Sequence, residues 1–191
     1  IRATRGAAGQ GALPTDSLEF ARLWIERFNG WGAFSAAECL TPGTVTWLSI
    51  WYEGTLIVAQ TRRRRSWGFA NRTLSGVTGI TAVAETVSNP LVDRVALDSI
   101  LAIDAKPHGI FGVDMTYDAE GWPNPTEINI GRFFTTHFFF SKSGLNMPAI
   151  YCDIALERKF PVLEKRVNPL PVGLVWIRGM DVSPVLTTVE E

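Results

Sequence analysis

Hydrophobic and polar positions alternate along the chain in two different periods, which predict a mixture of helices and β-hairpins. Apolar side chains at helical spacing predict one helix within residues 13–28 and a second beginning at Asn89-Pro90. Strand-like residues on both sides of a turn at residues 52–55 predict a β-hairpin over residues 45–60. A third helix is predicted to begin at Met147-Pro148. The pattern is typical of an α+β protein.

The clearest organising feature is a second predicted hairpin, over residues 109–132. Two β-prone apolar runs, residues 110–113 and 126–130, flank a loop. That loop is rich in the residues that favour turns, namely Asp118, Gly121, Pro123 and Pro125. We therefore expect residues 110–130 to fold back as a pair of antiparallel strands.

This hairpin carries side chains suited to binding a divalent cation. Glu127 and Asn129 alternate with isoleucines and so point to one face of their strand. Antiparallel pairing could bring Asp114 close to Glu127, with the cation of Arg132 just beyond. Carboxylate and amide oxygens are the ligands that Mg²⁺ prefers. A half-exposed strand with an ordinary polar face is the alternative interpretation of Glu127 and Asn129.

Val113-Asp114, the turn, Glu127-Ile128-Asn129 and Arg132 resemble the metal-binding hairpin of the ATP-grasp ligases. This superfamily includes carbamoyl-phosphate synthase, biotin carboxylase and D-alanine–D-alanine ligase. The resemblance implies an α+β, ATP-grasp fold of two lobes with antiparallel sheets and packed helices. It also implies that Asp114, Glu127 and Asn129 bind Mg²⁺, with Mn²⁺ a possible substitute, and that Arg132 is catalytic.

The reaction that the resemblance implies is ligation driven by ATP. A small carboxylate or bicarbonate is activated as an acyl phosphate, and an amine or ammonia then displaces phosphate. The polar segment at residues 141–144, followed by a predicted helix, is similar to carbamoyl-phosphate synthase in particular.

Further residues match the family's nucleotide site in order along the chain. Arg2 precedes a glycine-rich loop that includes Gly9, as in the loop that closes over nucleotide phosphates. Glu38 and Leu40 match the hinge between the lobes, where backbone groups pair with adenine. The chain departs from many members after the hinge, because residues 44–46 read Thr-Val-Thr where an acidic residue commonly binds ribose.

These matches predict a division into three parts. Residues 1–40 would belong to the first lobe, residues 41–156 would form the second lobe with the metal hairpin, and residues 157–191 would be a C-terminal extension. Because the chain lacks an initiator Met and the family's preceding segments, we expect it to be part of a longer protein and to have little activity in isolation.

Composition adds limits on partners. The chain of 191 residues is 46% hydrophobic and 19% charged, with a net charge of −1, which gives no electrostatic case for binding nucleic acid or a membrane. Two cysteines are too few for a disulfide scaffold, and no signal peptide is visible, so a cytoplasmic, reducing location is expected. A homo-oligomer is possible.

The run Arg62-Arg63-Arg64-Arg65 follows the first hairpin and leaves two interpretations open. In a strand, alternate arginines face opposite sides, so one pair could bind a phosphate or a substrate carboxylate while the other is solvated. The alternative is that all four form an ordinary solvated face. For the whole chain, the alternatives to a ligase are a non-catalytic nucleotide- or partner-binding lobe of the same fold, and a β-rich adaptor whose exposed Trp and Phe residues bind a partner, since the chain has seven tryptophans.

Overall fold

The structure, a computed structural model, describes residues 1–5, 11–159 and 162–190. The chain divides into two compact units. The first comprises Ile1–Cys39 and Ser66–Ala82, and the second comprises Leu40–Arg65 and the chain from Val83 onward. The N-terminal segment of the first unit ends at Cys39, and the sequence predicts a boundary after residue 40. The first unit also contains the later segment Ser66–Ala82.

The first unit is small. Strand β1 (Arg2–Ala3) pairs antiparallel with β2 (Phe34–Ser35). Helix α1 (Leu18–Arg27) lies within the predicted range of residues 13–28, and the Ser17 side chain caps it by accepting a hydrogen bond from the N–H of Phe20.

The second unit is built on a seven-stranded sheet with the order β7-β6-β3-β4-β5-β8-β9. Its helices are α2 (Pro90–Ile103), α3 (His137–Lys142) and α4 (Met147–Ala155). Its strands are β3 (Thr44–Tyr52), β4 (Thr55–Trp67), β5 (Thr81–Val87), β6 (Gly109–Tyr117), β7 (Pro123–Ile130), β8 (Leu174–Ile177) and β9 (Val185–Thr188). The α+β class is therefore confirmed, with a large, mainly antiparallel sheet.

The predicted hairpin at residues 45–60 is present as β3 and β4. Glu53 and Gly54 connect the strands, and both have positive φ, 48° and 83°. Two consecutive residues of this kind give the twist that suits a tight hairpin, and glycine adopts it without steric cost.

Both faces of the sheet are packed by helices. Helix α2 covers one face, where its buried residues Val92, Ala96 and Ile100 join a cluster that includes Trp47 and Val113. Helices α3 and α4 cover part of the other face, in a cluster of thirteen buried residues. Its members include Leu48, Ile50, Val58, Phe139, Phe140 and Ile150. Successive residues of β3 thus enter two different cores, as the two-residue period of a strand requires.

The C-terminal part differs from the predicted extension, because it completes the sheet. Strand β8 pairs with β5, and β9 pairs with β8. Val175 and Trp176 are buried, which explains why this segment joins the body of the second unit.

Among the described residues, Cys39 and Cys152 are free, exposed thiols. None of the described helices has both the length and the apolar content needed to cross a lipid bilayer.

A buried polar network joins the segment after α4 to the centre of the sheet. Asn168 is 1% exposed, and its Nδ2 lies 2.9 Å from both carboxylate oxygens of Asp93 on α2. Its Oδ1 accepts a hydrogen bond of 2.8 Å from the N–H of Thr61 on β4. Trp47 Nε1 also donates to Asp93, over 3.0 Å. These bonds satisfy groups that would be costly to bury alone.

We therefore predict that Asn168→Ala lowers the free energy of unfolding by about 2–3 kcal/mol, because a buried N–H and a carboxylate lose their partner. Asn124→Ala is the matched control, since Asn124 is half-buried near the start of β7 and its side chain bonds Asp118 and Trp122 in the adjoining loop; it should cost less than about 1 kcal/mol. Urea denaturation followed by tryptophan fluorescence measures both, and equal losses would contradict the structural role of Asn168.

Candidate functional site

The candidate site lies on the hairpin formed by β6 and β7, which the sequence predicts. The connecting loop is held by Asp118, whose Oδ1 accepts from the N–H groups of Glu120 at 3.1 Å and Trp122 at 2.7 Å. These bonds to its own loop lower the pKa of Asp118, the bond from Trp122 most of all. A short polar side chain that bonds residues further along the chain is a common way to fix a turn.

An irregularity in the pairing sets which side chains face each other across the hairpin. Met115 pairs with Pro125, and Asp114 pairs with Glu127, so Thr126 is an extra residue on β7. Bulges of this kind re-aim the side chains beyond them. Asp114 and Glu127 are consequently direct cross-strand neighbours, whose side chains share one face of the sheet.

Asp114 is the centre of a hydrogen-bonded group on this face. Its Oδ1 accepts from the hydroxyl of Thr46 on β3 at 2.5 Å, and its Oδ2 accepts from Asn129 Nδ2 at 3.3 Å. Both bonds fix the direction of the Asp114 carboxylate. Asn129 uses its amide nitrogen for this contact, and its Oδ1, which has two lone pairs, accepts from Arg132.

Arg132 follows the end of β7, and its side chain contacts the hairpin. Gly131 has φ of 74°, a conformation that favours glycine, and it turns the chain there. The guanidinium of Arg132 donates to Asn129 Oδ1 and lies 3.8 Å from Glu127 Oε1. All four residues that the sequence singled out on this hairpin are therefore neighbours on one sheet face.

The chemistry of this donor set fits a hard divalent cation. Two carboxylates and one amide oxygen lie side by side, and a carboxylate has more lone pairs than Asp114 uses for Thr46 and Asn129. Asp114 and Asn129 are half-buried and Glu127 is exposed, which leaves room for water and phosphate as the remaining ligands. Residues 1–5, 11–159 and 162–190 contain no cluster of three or more His, Cys, Asp or Glu side chains, so any metal here would rely on the amide.

The same face continues onto β3 and β4, which sequence reasoning did not assign to the site. Thr46 pairs with Asp114 on one side and with Arg62 on the other, so Glu127, Asp114, Thr46 and Arg62 form one row across four strands. In the neighbouring row, Arg64 pairs with Thr44, and its Nη1 donates to the Thr44 hydroxyl at 3.0 Å. These two neighbouring cross-strand pairs, Thr46 with Arg62 and Thr44 with Arg64, form the β3–β4 group.

The two arginines of the β3–β4 group are removed from solvent, Arg62 fully and Arg64 in part. Arg62 is 2% exposed, and its guanidinium carbon lies 4.4 Å from the centre of the Phe134 ring. Burial lowers the pKa of Arg62 to about 9, aided by the nearby charge of Arg64 and opposed by that of Asp114. Burial likewise lowers the pKa of Arg64 to about 10, and Asp114 again opposes it. Both arginines are thus cationic at neutral pH.

The other two arginines of the run serve a different purpose. Arg63 and Arg65 alternate to the opposite face, where both bind one oxygen of Glu85, at 2.6 and 2.8 Å. Glu85 is buried, which alone would raise its pKa, but the hydrogen bonds from Arg65 and Arg63 outweigh burial and lower the pKa of Glu85. This pair is therefore neither a free solvated face nor part of the candidate site.

The remaining predicted residues are spread over the two units. Arg2 is on β1 and Glu38 follows β2, and both are exposed in the first unit. Leu40 is half-buried at the start of the second unit, next to Thr41, whose N–H donates to the carbonyl of Tyr117 at the end of β6. Gly9 lies outside the described residues.

In comparisons with known proteins, no family model matches this chain, and no curated protein is significantly similar to it.

The Glu85 contacts predict a specific dependence of stability on pH. Because the folded-state pKa lies below the ordinary value of 4.5, this pair stabilises the fold fully above that pH and loses its effect as the pH falls through the folded pKa. Glu85→Gln should therefore be less stable than the unmodified protein at pH 7, and the difference should shrink at acid pH. Thermal unfolding from pH 3 to pH 7 measures this.

Glu120→Gln is the control, because Glu120 is exposed in the β6–β7 loop. Its stability should follow that of the unmodified protein at every pH. A constant gap between Glu85→Gln and the unmodified protein across the pH range would contradict the assignment.

Proposed function

We propose that this chain is part of an ATP- and Mg²⁺-dependent ligase of the ATP-grasp type, which activates a carboxylate or bicarbonate as an acyl phosphate for attack by an amine or ammonia. The observation that carries the proposal is the meeting of Asp114, Glu127, Asn129 and Arg132 on one face of the β6–β7 hairpin. The alternative, an ordinary polar strand face, explains Glu127 and Asn129 alone. It gives no reason for Asp114 to lie opposite Glu127, or for the Arg132 guanidinium to lie beside both Glu127 and Asn129.

The residues have separate roles in this proposal. Asp114, Glu127 and Asn129 would hold the metal, and Thr46 and Asn129 keep the Asp114 carboxylate in a fixed orientation. Bound Mg²⁺ would neutralise and position the phosphate oxygens of ATP. The side chain of Arg132 is 63% exposed, so its guanidinium would be accessible to the negative charge that develops on the transferred phosphoryl group.

The reaction has two displacement steps. An oxygen of the carboxylate or bicarbonate attacks the γ-phosphorus, the bond to ADP breaks, and an acyl phosphate forms. The amine nitrogen then attacks the acyl carbon, phosphate leaves, and the nitrogen loses a proton. The protein contributes positioning and charge stabilisation rather than a covalent intermediate. Arg2, Gly9, Glu38 and Leu40 would contribute to nucleotide binding.

A non-catalytic, nucleotide- or partner-binding lobe is the second candidate, and one observation favours it. The threonines that stand where an acid commonly binds ribose are already engaged within the sheet: Thr44 accepts from Arg64, and Thr46 donates to Asp114. The adaptor hypothesis is weakened, because Trp47, Trp51 and Trp176 are buried, although Trp31 and Trp122 are exposed.

We predict that Glu127→Ala abolishes Mg²⁺-dependent binding of a non-hydrolysable ATP analogue by the native protein, together with ATP turnover, because a carboxylate ligand is lost. Glu127 is exposed, so the fold should be unaffected. Calorimetry gives the nucleotide affinity, Mn²⁺ electron paramagnetic resonance gives the metal affinity, and circular dichroism checks folding.

Glu120→Ala removes a carboxylate from the same hairpin, away from the site, and is the control. It should keep metal and nucleotide affinities within about twofold of the unmodified protein, as expected for an exposed surface change. Metal-dependent nucleotide binding without turnover in the unmodified protein would select the non-catalytic alternative. Unchanged metal affinity in Glu127→Ala would remove the metal assignment.

A further inference from the structure

We propose that the edge strand β9 is a homodimer interface, in which β9 pairs antiparallel with β9 of a second copy of this chain and joins two sheets into one. The inference goes beyond the proposed function, and it concerns the edge of the sheet opposite the β6–β7 hairpin. The chemistry of this edge selects an extended strand with exposed valine and leucine side chains, and β9 itself is such a strand.

The backbone of β9 directs hydrogen-bonding groups to both of its sides. The N–H of Val189 donates to the carbonyl of Gly173 at 3.1 Å, which continues the β8–β9 register. Because these groups alternate in direction along an antiparallel strand, Thr187 also directs its N–H and C=O toward β8, whereas Leu186 and Thr188 direct theirs away from it. Among the described residues, β8 is the only strand that pairs with β9, so the side of β9 away from β8 is an open edge.

The two edges of the seven-stranded sheet differ in how they are protected. The other edge strand, β7, contains Pro123 and Pro125, the exposed Glu127 and the bulge at Thr126. Prolines lack an N–H, and bulges and charges disfavour further pairing, so the β7 edge is blocked. By contrast, β9 reads Val-Leu-Thr-Thr, without a proline or a charged residue. Of the two edges, β9 is therefore the one suited to accept another strand.

Exposed apolar side chains accompany the open edge. Val185 and Val189 lie on one face of β9 and are about half exposed, and Leu186 lies on the other face and is 39% exposed. Met180 and Val182, which precede the strand, are exposed to a greater extent. Association at this edge would remove apolar surface from water, which is the main favourable contribution to protein association.

The register of the pairing follows from the backbone groups that are directed outward. A hydrogen-bonded antiparallel pair needs residues on both strands that direct their N–H and C=O to each other, and on β9 these are Leu186 and Thr188. With the two-fold axis at Thr187, Leu186 of each copy pairs with Thr188 of the other, and Val185 of each copy lies opposite Val189 of the other. The strand is thus complementary to itself, because valine meets valine and no like charges face each other.

The proposed dimer is tested by sedimentation velocity of the native protein from about 1 to 500 µM, the range expected for a small interface. Val185→Glu and Val189→Lys each place a charge opposite a valine of the second copy. Each variant should weaken dimerisation about tenfold or more. An equal mixture of the two should form a heterodimer of near-native affinity, because the introduced carboxylate then lies opposite the introduced amine while the second valine pair is intact.

Ala102→Lys is the matched control, because it adds the same charge as Val189→Lys at an exposed position in the last turn of α2. It should change the dissociation constant of the dimer less than about twofold, as expected for a surface substitution outside an interface. Circular dichroism confirms that each variant is folded. The recovery of dimers in the mixture shows independently that both substituted chains are folded.

Amide hydrogen exchange followed by NMR locates the contact. Exchange at Leu186 and Thr188 should slow as the protein concentration rises, and exchange at Asn124 and Thr126 on β7 should not. The interface is overturned if the native protein stays monomeric over this concentration range, or if dimers persist unchanged in both single variants. A mixture that dimerises no more tightly than the single variants would likewise overturn the proposed antiparallel register.

Discussion

The cross-strand pairing of Asp114 with Glu127 is the contact on which the candidate site depends. A slip of one residue would turn Glu127 and Asn129 to the face covered by α2, because side chains alternate along a strand. The register is held from both sides of β6: Val113 and Met115 are buried against the α2 core, and the extra residue Thr126 absorbs the mismatch on β7. Hydrophobic packing on one face thus fixes the position of polar groups on the other.

The polar face is stabilised as a connected whole. Thr46, Asp114 and Asn129 form a chain of hydrogen bonds that runs across three strands, and Arg132 ends it at the hairpin side. At the opposite side, the charge of Asp114 favours the charged forms of Arg62 and Arg64. A buried cation is tolerable only where opposite charge or an aromatic face lies close, and Arg62 has both. The contacts of Arg62 are therefore part of what makes this sheet face stable.

Sequence reasoning reached the parts of this arrangement that are local along the chain. The hairpin and the shared face of Glu127 and Asn129 follow from turn residues and a two-residue period, and Asp114 is only 15 positions from Asn129. Thr46 is 68 positions from Asp114, and no local pattern shows that β3 pairs with β6. The same limit explains β8 and β9, whose place in the sheet depends on pairing with the distant β5.

The arginine run shows how one strand divides four like charges between two environments. Four consecutive cations are ambiguous as a sequence, but in β4 they separate by parity into two pairs with different surroundings. Arg63 and Arg65 converge on a single buried carboxylate, which ties β4 to β5 and explains both charges as structural. Arg62 and Arg64 are on the other face, where burial lowers the pKa of both and the charge of Asp114 opposes that change. The alternation of side chains along the strand, and not the run itself, therefore decides which charges bind the carboxylate on β5 and which lie near Asp114.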